Sequence, residues 1–297
     1  MKKIVRLLLL IAIVAAAWYL FIKPYDYVVR FPVKTTVGTI NQSIKSWYAG
    51  IEGTQITDQS KLDELTQQFN FGDSIHTYTW KIEAITDSTS QVKVYVKDND
   101  HSLANKLAIP FSKTAIEKRS EATVKEFYDV LNSHIKKFKV TINGEDTTRS
   151  TYVAYTPLKG EQTEKAKGMM YNYTLLTQIM LKGNVELNGT PFIEVTNWNT
   201  KTDSLSYNFC FPIKKSDSLP GHPDIKYKQY HAQKALKATY NGNYITSDRA
   251  WYALKGYAES HNIPIDLTPV EVFYNNPNMG GDELQWKAEI FMPIKEK

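Results

Sequence analysis

TPVEVFYNNP, residues 268–277, is an apolar, strand-like run that carries one carboxylate, Glu271, beside Phe273 and Tyr274. A carboxylate removed from water is costly unless a partner meets it, so the position of Glu271 needs a reason. The run also belongs to a repeat. TPFIEV (190–195) followed by FPIK (211–214) returns as TPVEVF (268–273) followed by MPIK (292–295), offset by 78 and 81 residues. The longer second interval falls in NNPNMGGDE (275–283), which has the composition of a turn. One supersecondary unit is used twice.

Each copy reads as strand, helix and β-hairpin, over residues ~150–213 and ~226–295. In the first, TYVAYT (151–156) leads to a helix with Met169, Met170, Tyr173, Leu176, Ile179 and Met180 on one face, stopped at Gly183. In the second, Ala235 to Tyr240 leads through Gly242 to a helix presenting Trp251, Leu254, Tyr257, Ala258 and His261. Ser247 is placed to cap that helix and Pro264 to stop it. Two such halves, joined by KKSDSLPGHPD (214–224), face each other about a pseudo-two-fold axis and leave a cleft of the kind that holds ligands. Where the second copy has Glu271 the first has Ile193, so the carboxylate stands on one side only.

Outward from the repeat, residues 25–140 read as strand, helix, strands and one long helix. Tyr27–Val33 is a β run, and Ile40, Ile44, Trp47 and Tyr48 recur at helical spacing. TYTWKIEAI (77–85) and QVKVYVK (91–97) alternate around a turn at 86–90. The last segment carries Val124, Phe127, Leu131, Ile135 and Phe138 on one helical stripe. Before all of this, Ile4 to Ile22 holds one charge, Arg6, and as a helix reaches ~28 Å, enough to span a bilayer. A cleaved signal peptide is the competing reading, with Ala15–Ala17 as small residues. Against it, the apolar run continues through Trp18 to Ile22. Lys2, Lys3 and Arg6 before the span are matched by Lys23, Arg30 and Lys34 after it, so charge alone leaves the orientation open. The very short N-terminal tail with its early basic cluster has the form of a signal anchor, with the N-terminus in the cytoplasm and the body on the extracytoplasmic side.

A formal charge of +5 over 297 residues, with scattered lysines, does not suggest nucleic acid. The six histidines fall in no metal-ligand spacing, and no phosphate loop or Gly-x-Ser-x-Gly elbow is present. No cofactor or metal is expected. The single cysteine, Cys210, forms no internal disulfide and leaves the compartment open.

The second half, from KATYNGNYITSDRAWYALKGYAESHNIPIDLTPVEVFYNNP to KAEIFMPIK, resembles the gyrase-inhibitor-like (GyrI-like) domain, also called the effector-binding domain of bacterial transcription activators. The family pattern is met by Gly242 and Tyr244, Trp251, Glu271 with Phe273 and Pro277, and Glu289, Ile290 and Pro293. The resemblance covers about 143–297. It implies a glutamate at the bottom of an aromatic pocket that meets amphipathic or cationic ligands. Carried over, these are Glu271, with Tyr244, Trp251, Phe273, Tyr274 and Trp286 as walls and Glu289 as a further polar group. From the residues alone, Glu271 on a solvent-facing strand, Trp251 as helix core, Tyr244 as a turn aromatic and Glu289 in a surface pair stay open. Some relatives are hydrolases, for which Glu271 would be the base and Tyr244 its partner; a non-catalytic envelope scaffold is another alternative. No DNA-binding helix pair precedes the domain. The first soluble segment is similar to the SRPBCC or START-like helix-grip superfamily, with IPFSKT (109–114) entering the long helix, and the resemblance implies an apolar cavity where a packed core is the alternative. The expected architecture is thus α+β: a transmembrane helix (1–23), a helix-grip-like α+β domain (25–140) and a tandem β-α-β-β domain (143–297).

Overall fold

The computed structural model describes residues 2–275 and 277–296, and the chain divides into two units, one from the N-terminus to Ile85 with Thr89–Asn132, the other Thr86–Ser88 with the chain from Ser133 onward.

In the first unit, α1 (Lys2–Ala17) runs into a π-helical turn at Trp18–Ile22. Together they form a 21-residue helical run, Lys2–Ile22, with a mean hydropathy of 2.5 in its most apolar stretch and none of that stretch buried. That is long and apolar enough to cross a membrane, a property shared with signal sequences. There follow β1 (Tyr27–Val33), α2 (Val37–Tyr48), β2 (Thr54–Asp58), β3 (Glu64–Asn70), β4 (Ile75–Ala84), β5 (Ser90–Asp98), α3 (Ser102–Ala108) and α4 (Ala115–Ile135). The strands pair antiparallel in the order β1-β5-β4-β3-β2. Thr36 caps α2 by accepting from the Thr39 amide at 3.3 Å.

Aromatic rings fill the space between this sheet and its helices. Trp80 of β4 lies 4.9 Å from Phe127 of α4, and Trp47 of α2 lies 5.4 Å from the same ring. Trp80 and Phe127 are fully buried, and the Trp80 indole donates to Gln67 Oε1 at 2.8 Å. Packed rings at these separations are a core.

The second unit is one eight-stranded sheet with two helices. Its elements are β6 (Phe138–Thr147), β7 (Thr151–Glu161), α5 (Lys165–Lys182), β8 (Phe192–Asn199), β9 (Ser204–Ile213), β10 (Lys226–Tyr230), β11 (Lys234–Gly242), α6 (Arg249–Ser260), β12 (Val270–Phe273) and β13 (Lys287–Pro293). All pairings are antiparallel, in the order β10-β7-β9-β8-β12-β13-β11-β6. From the central β8/β12 pair, β9 and β7 follow on one side and β13 and β11 on the other. At that centre Glu271 lies directly opposite Ile193. Phe138, placed by the helical stripe at the end of α4, instead opens β6: the helix stops at Ile135, and Phe138 stacks on Tyr240 of β11 at 6.0 Å.

Both faces of this sheet are covered near β12. Val270 joins Phe192, Tyr230 and Phe291 in an apolar cluster on one face, while Glu271 and Phe273 alternate to the other and are buried there. At the end of β11, Gly242 has φ +149°, and a Cβ there would fall 2.8 Å from Phe138 Cβ and 2.7 Å from Tyr240 Oη. Gly242→Ala is expected to cost about 1–3 kcal/mol, because it overpacks a filled site in backbone geometry that suits glycine. Chemical denaturation followed by tryptophan fluorescence checks it.

Candidate functional site

Lys165 opens α5, after Glu161 and Glu164 cap the short turn that precedes it. Its ammonium donates to both oxygens of Glu271 at 2.7 Å and to Ser247 Oγ at 2.7 Å. Ser247 Oγ lies 3.2 and 3.1 Å from the two carboxylate oxygens and donates to the Tyr244 carbonyl at 2.9 Å. Lys165, Ser247 and Glu271 are all fully buried, and the Lys165 ammonium sits 4.6 Å from the centre of the Trp251 ring. Burial pushes the Glu271 carboxyl above its ordinary range, against the pull of the Lys165 ammonium and the Ser247 hydroxyl.

Two expectations from the sequence are corrected here. The partner of Glu271 is supplied by the protein, as Lys165, and not by a ligand. Ser247 does not cap α6: the residue before that helix is Asp248, which makes no side-chain cap bond, and the Ser247 hydroxyl is drawn into the ion pair instead. The Lys165 ammonium donates to the Ser247 oxygen that a cap would offer to a helix amide, and a charged donor holds that oxygen more strongly than a neutral amide does.

Beside this pair lies a cavity of about 400 Å³, within the usual range for small-molecule sites. Ala166, Met169, Met170 and Tyr173 of α5 form one wall, and Phe209 of β9 lines it from the sheet. Tyr244 and Ile245, on the short helical turn before α6, face them together with Phe273, Tyr274 and Trp286. Tyr244 packs 4.9 Å from Phe273 and 5.9 Å from Trp286. Four of the residues singled out in the sequence, Tyr244, Phe273, Tyr274 and Trp286, therefore share this cavity. The other three do not line it. Glu271 is sealed behind its neighbours, Trp251 is fully buried beneath Lys165, and Glu289 belongs to a separate groove with Lys237 and Phe291. There Glu289 pairs with Lys287 at 2.9 Å and accepts from Tyr274 Oη at 2.8 Å.

Tyr244 and Glu271 are not a bonded pair. The Tyr244 hydroxyl donates to the Lys287 carbonyl at 2.7 Å and accepts from the Asn275 amide at 3.2 Å. Burial pushes it up to about 12. Among the described residues no group of three or more His, Cys, Asp or Glu side chains is placed to hold a metal ion. Lys165 was missed in the sequence, although one signal was present. A cation at the first position of a helix faces the positive end of the helix dipole, an unfavourable placement that calls for a compensating anion.

A second buried network fixes the start of α6. The Arg249 guanidinium pairs with Asp248 at 2.7 Å, and its Nε donates to His134 Nε2 at 3.3 Å. Gln162 donates to Asp248 and accepts from the Trp198 indole at 2.9 Å. His134 is an acceptor here, so it must be neutral; burial and then the Arg249 charge hold it down to about 4, from an ordinary 6.5. The unfolded chain takes up this proton first. Stability is therefore complete above pH 6.5 and declines as pH falls from there toward 4, by up to about 3 kcal/mol. His134→Gln, which keeps an acceptor without titrating, is expected to flatten that part of the stability profile, as measured by melting temperature against pH.

The profile of the GyrI-like small molecule binding domain matches residues 160–295. A search of the curated proteins finds no match. Among solved structures, the chain is similar to the EcmrR C-terminal domain, with 14% identity and a TM-score of 0.44 over 54% of this chain and 99% of that one. It is also similar to SAV2435 bound to tetraphenylphosphonium, with 12% identity and a TM-score of 0.36 over 53% and 93%. A hydrolase from Listeria innocua shares 11% identity with a TM-score of 0.32 over 54% and 92%. Residues 160–295 of this chain are a GyrI-like small-molecule-binding domain.

Proposed function

We propose that this protein is a membrane-anchored receptor for uncharged, lipophilic small molecules, held in the cavity between α5 and the Tyr244 turn. The observation that carries the ligand class is the Lys165–Glu271 pair. A carboxylate already met by an internal ammonium at 2.7 Å offers little to a ligand cation, and the remaining walls are methionine and aromatic surface. Methionine side chains adapt to varied apolar shapes, and aromatic rings supply large contact area at small entropic cost. In this account Tyr244, Phe273, Tyr274 and Trp286 are ligand walls, and Glu271 and Lys165 set the charge preference from behind them. The apolar helix Lys2–Ile22 holds the chain in the membrane, with Lys2, Lys3 and Arg6 on the cytoplasmic side and both soluble units on the other.

Met169→Glu tests the cavity. Met169 is only partly buried and the substitution keeps a good helix former. The variant is expected to fold while placing a charge in the apolar wall. A thermal shift by small lipophiles is expected in the wild type and should vanish in this variant; an unchanged shift would place the ligand elsewhere.

A further inference from the structure

We infer that α3 and the turn after it rest in the surface of the bilayer that α1 spans, with Leu103, Leu107 and Phe111 inserted among the lipid headgroups. The inference rests on the reading of α1 as a retained span. The last carbonyls of a helix lack intrahelical partners. At the end of the apolar helix two such groups are taken up by one residue of α3: the Lys106 ammonium donates to the Lys23 carbonyl at 2.6 Å and to the Leu20 carbonyl at 3.4 Å. Lys106 is 4% exposed and lies 3.8 Å from Asp26, itself buried. Asp26 in turn accepts from the Asp98 amide at 2.9 Å and from Ser102 Oγ at 2.5 Å, tying the first turn of α3 to the sheet. α3 is thus held within one lysine side chain of the point where the apolar helix ends.

That point has the residue pattern of a membrane interface. Trp18 is half exposed, and the Lys23 ammonium lies 4.7 Å from the Tyr19 ring and 4.5 Å from the Tyr25 ring. Beside it α3 presents Leu103 and Leu107, one helical turn apart, and Phe111 follows in the next turn. Their exposures are 46%, 54% and 88%. Three large apolar side chains on so short a stretch gain from burial. The phase within reach of α3 is the bilayer surface, where a short amphipathic segment buries its apolar side.

The test uses the full chain in lipid nanodiscs, with an environment-sensitive fluorophore on a cysteine introduced as Leu107→Cys or Phe111→Cys. Ile85→Cys serves as the control: it is exposed, at the β4–β5 turn, roughly 23 Å along the strands from the Tyr27 end. Native Cys210 is fully buried and does not compete for label. Lipids carrying a nitroxide at headgroup depth are expected to quench the labels at 107 and 111 by about twofold or more, with a blue-shifted emission, and to leave 85 unchanged. Unquenched, water-like emission at 107 and 111 from a chain that remains in the nanodisc overturns the inference while sparing the anchor. Energy transfer between labelled copies without lipid quenching assigns the face to a second copy and likewise overturns it. A chain that leaves the membrane overturns both readings.

Discussion

Lys165→Met is expected to lower the stability of the GyrI-like unit by about 3–5 kcal/mol, because it leaves the Glu271 charge buried with only Ser247 to meet it. For a unit of this size that corresponds to a fall in melting temperature of roughly 10 °C. Glu271→Gln is expected to be comparably harmful from the other side, since it strands an ammonium that is fully buried. The informative variant is the double one. Lys165→Met with Glu271→Leu removes both charges and both desolvation penalties, and Ser247 keeps its bond to the Tyr244 carbonyl. Such apolar replacement of a buried pair is often close to neutral, so the double variant should recover most of the loss. Thermal unfolding of the four proteins measures this directly. Full additivity of the two single losses would mean that the side chains do not act as a pair.

The second large effect concerns ligand charge. tert-Butylbenzene and trimethylphenylammonium have nearly the same shape and differ by one positive charge. In the wild type the cation must shed its hydration beside a carboxylate that Lys165 already neutralises, and cation-π attraction of about 0.5–2 kcal/mol per ring offsets only part of that cost. Preference for the neutral compound by about tenfold is expected, equivalent to about 1.4 kcal/mol. Lys165→Met should move the preference toward the cation, because the uncovered carboxylate then lies behind Phe273 and Tyr244 with no internal counter-ion. Paired thermal-shift titrations of the variant and the wild type show whether the order moves.

How far the sequence reached can be seen residue by residue. The helices α5 and α6 were legible because apolar spacing reports a local period, and the two TP-strands because their sequence recurs, although His261, placed on the α6 face, lies exposed beyond the helix end. The walls Tyr244, Phe273, Tyr274 and Trp286 came from a motif resemblance and a run of aromatics, both readable along the chain. The salt bridge was not, since Lys165 and Glu271 are 106 residues apart and meet only once α5 has crossed the sheet. Nor was the fate of Ser247, whose local pattern as a helix cap is sound and is overridden by the buried ammonium of Lys165 on a distant helix. Short strands such as β2 and β10 and the seven-residue α3 lack the length over which periodicity shows.

The measurement closest to the central claim is a calorimetric titration of the wild-type full chain in nanodiscs with the matched pair, corrected for binding to empty nanodiscs. Tighter binding of tert-butylbenzene, reduced by Met169→Glu, is the predicted result. Tighter binding of trimethylphenylammonium to the wild type would mean that Glu271 remains available to ligands despite Lys165, and would contradict the account.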